Sequence, residues 1–183
     1  HLFKDLLIGV TAFFRDPEAF EALAKEVLVK LMNNRRGDDA IRVWVPGCAT
    51  GQEAYTIAIL LRELQAHVEP VPEVQVFATD LDEHALVVAR QGVYPLKIAD
   101  EVAPERLRRF FVKKGQNYHV ARELRDMVVF SVHNLINDPP FSKIDLISCR
   151  NLLIYLGSHL QKKLIPLFHY AIRPGGYLFL GPS

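Results

Sequence analysis

The chain switches repeatedly between two periodicities, and this alternation is what most limits its possible folds. Five short apolar runs, Ile41–Val45, Val74–Thr79, Met127–His133, Ile144–Cys149 and Tyr177–Leu180, are separated mostly by stretches with helical spacing. Compact apolar runs rich in β-branched residues suit strands buried on both faces, as in a parallel sheet whose crossovers are helices. The sequence therefore predicts an α/β fold, doubly wound around a mainly parallel sheet. Half of the 183 residues are hydrophobic, enough for one domain with a sizeable core.

Local signals punctuate the pattern. Asp16-Pro17 reads as an N-cap followed by proline at the first helical position. Phe20, Leu23, Ala24, Val27, Leu28 and Leu31 then recur at helical spacing. A second helix is predicted from near Gln52 to about Gln65. A third begins after Asp82 and ends near Gly92. A last one is capped by Ser158 and runs to about Ile172, with Pro166 expected to kink it. Arg173-Pro174-Gly175-Gly176 reads as a turn before the final strand. Residues 94–126 break the alternation. A short helix over Pro104–Phe111 and a hairpin around Gly115-Gln116-Asn117 read as a small inserted lobe.

Composition narrows the function classes. The net charge of +1 gives no bulk attraction to nucleic acid or an acidic membrane. The cluster Arg106, Arg108, Arg109, Lys113 and Lys114 reads first as a solvated face, and second as a docking patch for an acidic partner. Cys48 and Cys149 lack zinc or redox spacing, and the seven histidines lack ligand spacing, so no metal is expected. The cysteines read as reduced thiols of a cytoplasmic protein. No signal peptide is visible, and no apolar run approaches the roughly 20 residues of a membrane helix. The start at His1 and the close just after a strand-like run read as one domain of a longer parent chain.

In open α/β sheets, ligands bind beyond the carboxyl ends of the strands, where strand order reverses. After the first strand stands Pro46-Gly47-Cys48-Ala49-Thr50-Gly51, which reads either as a plain turn or as a loop bringing backbone close to a ligand. The helix beyond it offers amides to an anion such as a carboxylate. The loop is neither G-x-G-x-x-G nor a P-loop. After the second strand stands Asp80, which could accept hydrogen bonds from ribose hydroxyls or simply cap a helix; Asp82 is better placed to cap. Asn134-Leu135 and Asn151-Leu152 follow the next two strands. Each asparagine reads as an adenine-edge partner or a loop former, and each leucine as packing for an adenine face. Together these positions describe a site for an adenosine-containing cofactor.

Several segments carry a resemblance to a known family. They are Thr11-Ala12-Phe13-Phe14-Arg15-Asp16, Gly47-Cys48-Ala49-Thr50-Gly51-Gln52-Glu53-Ala54-Tyr55, Phe77-Ala78-Thr79-Asp80, Ala89-Arg90-Gln91-Gly92-Val93-Tyr94 and Cys149-Arg150-Asn151-Leu152-Leu153-Ile154-Tyr155. Over nearly its whole length the chain resembles the catalytic domain of CheR-type chemotaxis receptor methyltransferases, which have a class I, Rossmann-like fold. The resemblance implies S-adenosyl-L-methionine as methyl donor, S-adenosyl-L-homocysteine as spent product, and glutamate side chains of methyl-accepting receptor helices as acceptors. It implies Thr11, Arg15, Gly47, Ala49, Glu53, Asp80, Asn134, Leu135, Asn151 and Leu152 as cofactor-site positions, with Glu53 meeting the donor's ammonium group. It places Arg15 and Tyr155 nearest the transferred methyl. The chain departs from the family at Gln52, where a glutamate is usual. It also lacks most of the helical domain that precedes this one in the family, and its final antiparallel strands are expected to be cut off. Its hairpin is shorter than in members that dock a receptor's C-terminal pentapeptide, so no such tether is expected.

A glutamate carboxylate is already ionised at neutral pH, so methyl transfer to it needs no general base. The site must supply alignment and desolvation instead. Three other readings compete: a non-catalytic sensor of S-adenosylmethionine or its product inside a larger signalling protein, a nicotinamide-dependent oxidoreductase, and a nucleic-acid methyltransferase. The missing G-x-G-x-x-G disfavours the second. The third would need a catalytic N-P-P-Y-type tetrapeptide at the end of the fourth strand, whereas Asp138-Pro139-Pro140-Phe141 lies before it.

Overall fold

The computed structural model describes residues 11–34, 39–150 and 152–181, the side chain of Ile154 excepted. Five strands form one wholly parallel sheet: β1 (Ile41–Pro46), β2 (Val74–Asp80), β6 (Val128–Val132), β7 (Ile144–Cys149) and β8 (Ile172–Leu180). Their spatial order is β6-β2-β1-β7-β8. The chain winds outward from β1 in one direction and then returns to add β7 on its other side. The order therefore reverses between β1 and β7, which marks the place for a ligand.

The alternation of side chains along β1 divides the core. Ile41, Val43 and Val45 join a cluster with Ile57, Ala58 and Leu61 of α2 (Gln52–Gln65) and with Phe20 and Leu28. Trp44 joins a second cluster with Ile147 and with Leu164, Phe168 and Ala171 of α6 (Ser158–Ala171). The Trp44 indole N–H is buried and donates to Thr79 Oγ1 at 3.0 Å, so its polar edge is satisfied.

The first helix, α1 (Pro17–Leu23), passes through a π-helical turn, Ala24–Leu28, into a last α-helical turn, Val29–Asn33. Asp16 does not cap it with its side chain. It sits in the left-handed region at φ 63°, and its carboxylate instead pairs with Arg150 at 3.0 Å. Asp82 does cap α3 (Glu83–Gln91), accepting from the backbone N–H of His84 and Ala85. Gly92 closes that helix at φ 61°.

Two expectations near the end of the chain need correction. Ser158 is the first helical residue of α6 and makes no cap bond, while Pro166 lies inside that helix as the sequence predicts. Arg173-Pro174-Gly175-Gly176 is no separate turn but a bulge within β8. Ile144 pairs with Ile172 and Leu146 with Tyr177, so these four residues stand opposite Asp145 alone. Among the described residues β8 has one strand neighbour, β7, and proline is tolerated in an edge strand or a bulge.

Between α3 and β6 the chain leaves the main sheet and builds a second, antiparallel one. Its strands are β3 (Val93–Pro95), β4 (Phe111–Lys114) and β5 (Asn117–Val120), in the order β3-β5-β4. The short helices α4 (Pro104–Phe110) and α5 (Arg122–Arg125) flank it. This lobe backs onto the loop after β1, where the Tyr94 hydroxyl donates to Thr50 O at 2.6 Å. It also holds the segment ahead of α1: Phe13 packs edge-on against Tyr94 and Phe111, and its N–H donates to Glu101 Oε2 at 2.9 Å. Of the basic cluster, Arg106 is no solvated bystander. Its guanidinium forks onto Glu63 at 2.8 and 3.1 Å and lies over the Phe14 ring, while Arg108, Arg109, Lys113 and Lys114 are exposed.

Candidate functional site

A cavity of about 310 Å³ opens at the carboxyl ends of the strands, near the reversal of strand order. Of the expected positions it brings together Gly47, Asp80, Asn134, Leu135 and Leu152, and it adds His133 and three leucines of the α6 side, Leu156, Leu160 and Leu164. The wall is thus mostly apolar, with one carboxylate set into it.

That carboxylate is fixed from both sides. Asp80 Oδ2 accepts the backbone N–H of Ala49 at 2.8 Å, and Oδ1 accepts that of Asp82 at 2.9 Å. Asp80 is buried, and Asp82 performs the capping, so Asp80 is spared that job. A carboxylate has about four acceptor positions, so these two bonds orient it without exhausting it.

The loop after β1 makes this geometry possible. Gly47, Ala49 and Gly51 all adopt positive φ, at 66°, 48° and 97°. A side chain on Gly51 would stand 2.9 Å from Ala89 Cβ, so only glycine lets α2 begin this close to α3. Gly47 packs against Leu152, across the mouth of the reversal point.

Glu53, in the first turn of α2, accepts the Ser148 hydroxyl at 2.5 Å. Although the residue keeps some exposure, burial of its carboxyl pushes its pKa up to about 7. The Ser148 bond and the charges of Arg150 and Arg15 pull the other way. Ser148 is fully buried. In the sequence its one signal is a hydroxyl between Ile147 and Cys149, in a run that also carries Asp145.

Arg150, also without an expected role, anchors the segment that carries Arg15. It donates to Arg15 O at 2.6 Å and to Asp16, and its guanidinium lies over the rings of Phe20 and Phe179. The Phe14 N–H donates to Thr56 Oγ1 at 3.1 Å, so α2 and the inserted lobe hold this segment as well. Arg15 and Thr11 are partly exposed and lie outside the cavity wall, and the positive charge of Arg15 favours the ionised form of Glu53.

Asn134 lines the cavity, but its side-chain oxygen accepts the N–H groups of Ile136 and Asn137, which is the loop-forming arrangement. Tyr155 closes a 3₁₀ turn, Leu153–Tyr155, is 41% exposed and is not part of the cavity wall. Asn151 lies outside the described residues. Burial pushes the Cys149 thiol up to about 12 and the Cys48 thiol well above its usual value, so neither is a thiolate nucleophile at neutral pH. No group of residues that could hold a metal ion occurs among those described, and none of the described helices is long and apolar enough to cross a membrane.

A chemotaxis protein methyltransferase 1 of Pseudomonas aeruginosa is 35% identical over 178 residues, covering 94% of this chain and 65% of its own length. An uncharacterized 104.1 kDa protein of Rhodobacter capsulatus is 42% identical over 180 residues, covering 98% of this chain but 19% of its own length. The chain therefore spans between about a fifth and just under two thirds of these two relatives. Among solved structures, a SAM-dependent methyltransferase from Thiobacillus denitrificans in complex with S-adenosyl-L-homocysteine matches with a TM-score of 0.51. It covers 97% of this chain and 54% of its own, at 13% identity, and so shares the class I methyltransferase fold. The family profile described as CheR methyltransferase, SAM binding domain, matches residues 9–183, and the chain belongs to that family.

Proposed function

We propose that this domain transfers a methyl group from S-adenosyl-L-methionine to glutamate side-chain carboxylates of a chemoreceptor-type protein, on the cytoplasmic side, as part of a longer signalling chain. The observation that carries the reading is Asp80, a carboxylate locked by two backbone N–H groups into the wall of an apolar cavity. Its remaining acceptor positions suit the two hydroxyls of a ribose, and Leu135 and Leu152 suit the faces of an adenine. Glu53, beyond the Gly47–Gly51 loop, suits the ammonium of the donor. The amides of that loop, Ala49 included, and the start of α2 favour its carboxylate. Asn134 keeps its amide nitrogen for the adenine edge, since its oxygen is engaged, and the family resemblance implies Asn151 for the same edge.

The bound donor supplies an electrophilic methyl on a sulfonium. With the donor held by Asp80, Glu53 and the Gly47–Gly51 loop, the acceptor carboxylate would take the methyl as the S–C electron pair stayed on sulfur, so no residue of this chain would need to move a proton. Arg15 holds the incoming carboxylate by a charge-assisted hydrogen bond, and Thr11 lies on the same segment. The exposure of Tyr155 supports a contact with the partner's helix. The four-residue strands of the hairpin, β4 and β5, support docking without a C-terminal pentapeptide tether.

Titration calorimetry with S-adenosylhomocysteine, joined to a tritium-methyl transfer assay on receptor fragments, tests the reading. Micromolar binding and base-labile methyl incorporation are expected. A domain that binds neither donor nor product refutes it. Binding without transfer would favour the sensor reading.

A further inference from the structure

The geometry points to Ser148 as a positioning residue that presents the Glu53 carboxylate to the amino-acid end of the methyl donor. The inference rests on the assignment of Glu53 to the donor's ammonium group. Along β7, Leu146 joins the core shared with α2, whereas Ile147 and Cys149 join the core under α6. Alternation puts Ser148 on the Leu146 face, toward the start of α2, where Glu53 stands. Its hydroxyl is fully buried and donates to Glu53 Oε1 at 2.5 Å.

A carboxylate on the first turn of a helix turns freely about its last torsion unless something holds it. A donor fixed to the central sheet stops that rotation. It engages one oxygen and leaves capacity on the carboxylate for a cation. It also favours the ionised form, because a hydrogen bond to a carboxylate stabilises the charge.

The other charged and titratable groups around Glu53 come from three places. Arg15 approaches from the segment ahead of α1 and Arg150 from the end of β7; both favour the charged carboxylate. Cys48 and Cys149 are held neutral by burial. Ser148 is thus the neutral donor in a set that otherwise acts through charge.

The test uses two probes on the purified chain. S-adenosylhomocysteine carries the ammonium, and 5′-methylthioadenosine keeps the nucleoside but lacks the amino-acid end. Calorimetry from pH 6 to 8.5 is run on the wild type, Ser148→Ala, Ser148→Cys and Glu53→Gln. Ser148→Ala is expected to bind S-adenosylhomocysteine about tenfold more weakly at pH 7.5 and to keep its affinity for methylthioadenosine. The pH at which affinity for S-adenosylhomocysteine begins to fall should move upward, because the lost bond favoured the ionised acid. Ser148→Cys, close in volume but a weak donor, should fall between. Equal losses for both probes would make Ser148 merely structural and overturn the inference. So would a wild-type affinity and pH profile in Ser148→Ala while Glu53→Gln loses binding. If Glu53→Gln itself binds S-adenosylhomocysteine normally, the assignment of Glu53 falls, and the role of Ser148 falls with it.

Discussion

Replacing Gly51 with alanine tests how the start of α2 is held. At φ 97° an L residue is strained by about 1–2 kcal/mol. The new Cβ would lie 2.9 Å from Ala89 Cβ and 3.3 Å from Ala89 Cα, atoms fixed to the backbone of α3 that cannot swing aside. It would also lie 3.1 Å from the Tyr94 hydroxyl, which donates to Thr50 O. Relieving that crowding costs about 1–3 kcal/mol, as for an overpacked core. The expected loss is therefore about 2–5 kcal/mol in urea denaturation. Gly115→Ala is the matched control. Its φ is 57° and nothing lies within 4 Å of its built Cβ, so only the backbone strain of about 1 kcal/mol applies. The difference between the two variants isolates the packing of α2 against α3. If both lose the same stability, the tight contact at Gly51 does not hold the loop, and the reasoning fails.

Other expectations follow from single contacts. Asp80→Asn must turn its amide NH₂ toward the N–H of either Ala49 or Asp82; melting should show a loss of about 1–3 kcal/mol, and calorimetry a weakened affinity for S-adenosylhomocysteine. Glu53 has a folded pKa of about 7 against an ordinary 4.5, so between these values the native state binds the extra proton. Stability should therefore fall as pH rises from about 4.5 to 7 and level off above, by at most about 3 kcal/mol. Glu53→Gln should flatten that slope in urea titrations at pH 5 and 8, and an unchanged slope would assign it elsewhere. Arg150→Met keeps bulk over Phe20 and Phe179 but loses the bonds to Arg15 and Asp16. Hydrogen exchange should then rise at Phe13 and Phe14 while the β1 amides stay protected.

How far the sequence reveals this molecule depends on how local each signal is. β1, α2, β2 and α3 are legible because period, Asp82 and Gly92 act within a few residues of one another. Asp16 misleads because its partner, Arg150, lies 134 residues away and draws the carboxylate from the cap. The bulge at Arg173–Gly176 is hidden because Pro-Gly-Gly reads as a turn, and only the strand pairing, one neighbour among the described residues, shows it inside a strand. β3, three residues long, carries no periodicity of its own. In the site, Asp80, Leu135 and Leu152 are readable because strand ends collect ligand contacts. Ser148 and Arg150 are not, since their partners become neighbours only when β7 settles beside β1.

That seam between β1 and β7 has a consequence for how the molecule is made. Arg42 N–H and Asp145 Oδ2 bond across it, yet they are separated by 103 residues. A ribosome delivers β1, β2 and β6 together with the whole inserted lobe before β7 is synthesised. The middle strand of the finished sheet thus spends that interval as an edge, open to pairing with another nascent chain. Such long-range pairing slows folding. Chains truncated just before Ile144 should consequently aggregate rather than accumulate as a half-sheet, and the yield of whole protein should depend on chaperones that guard β1 until its second neighbour emerges.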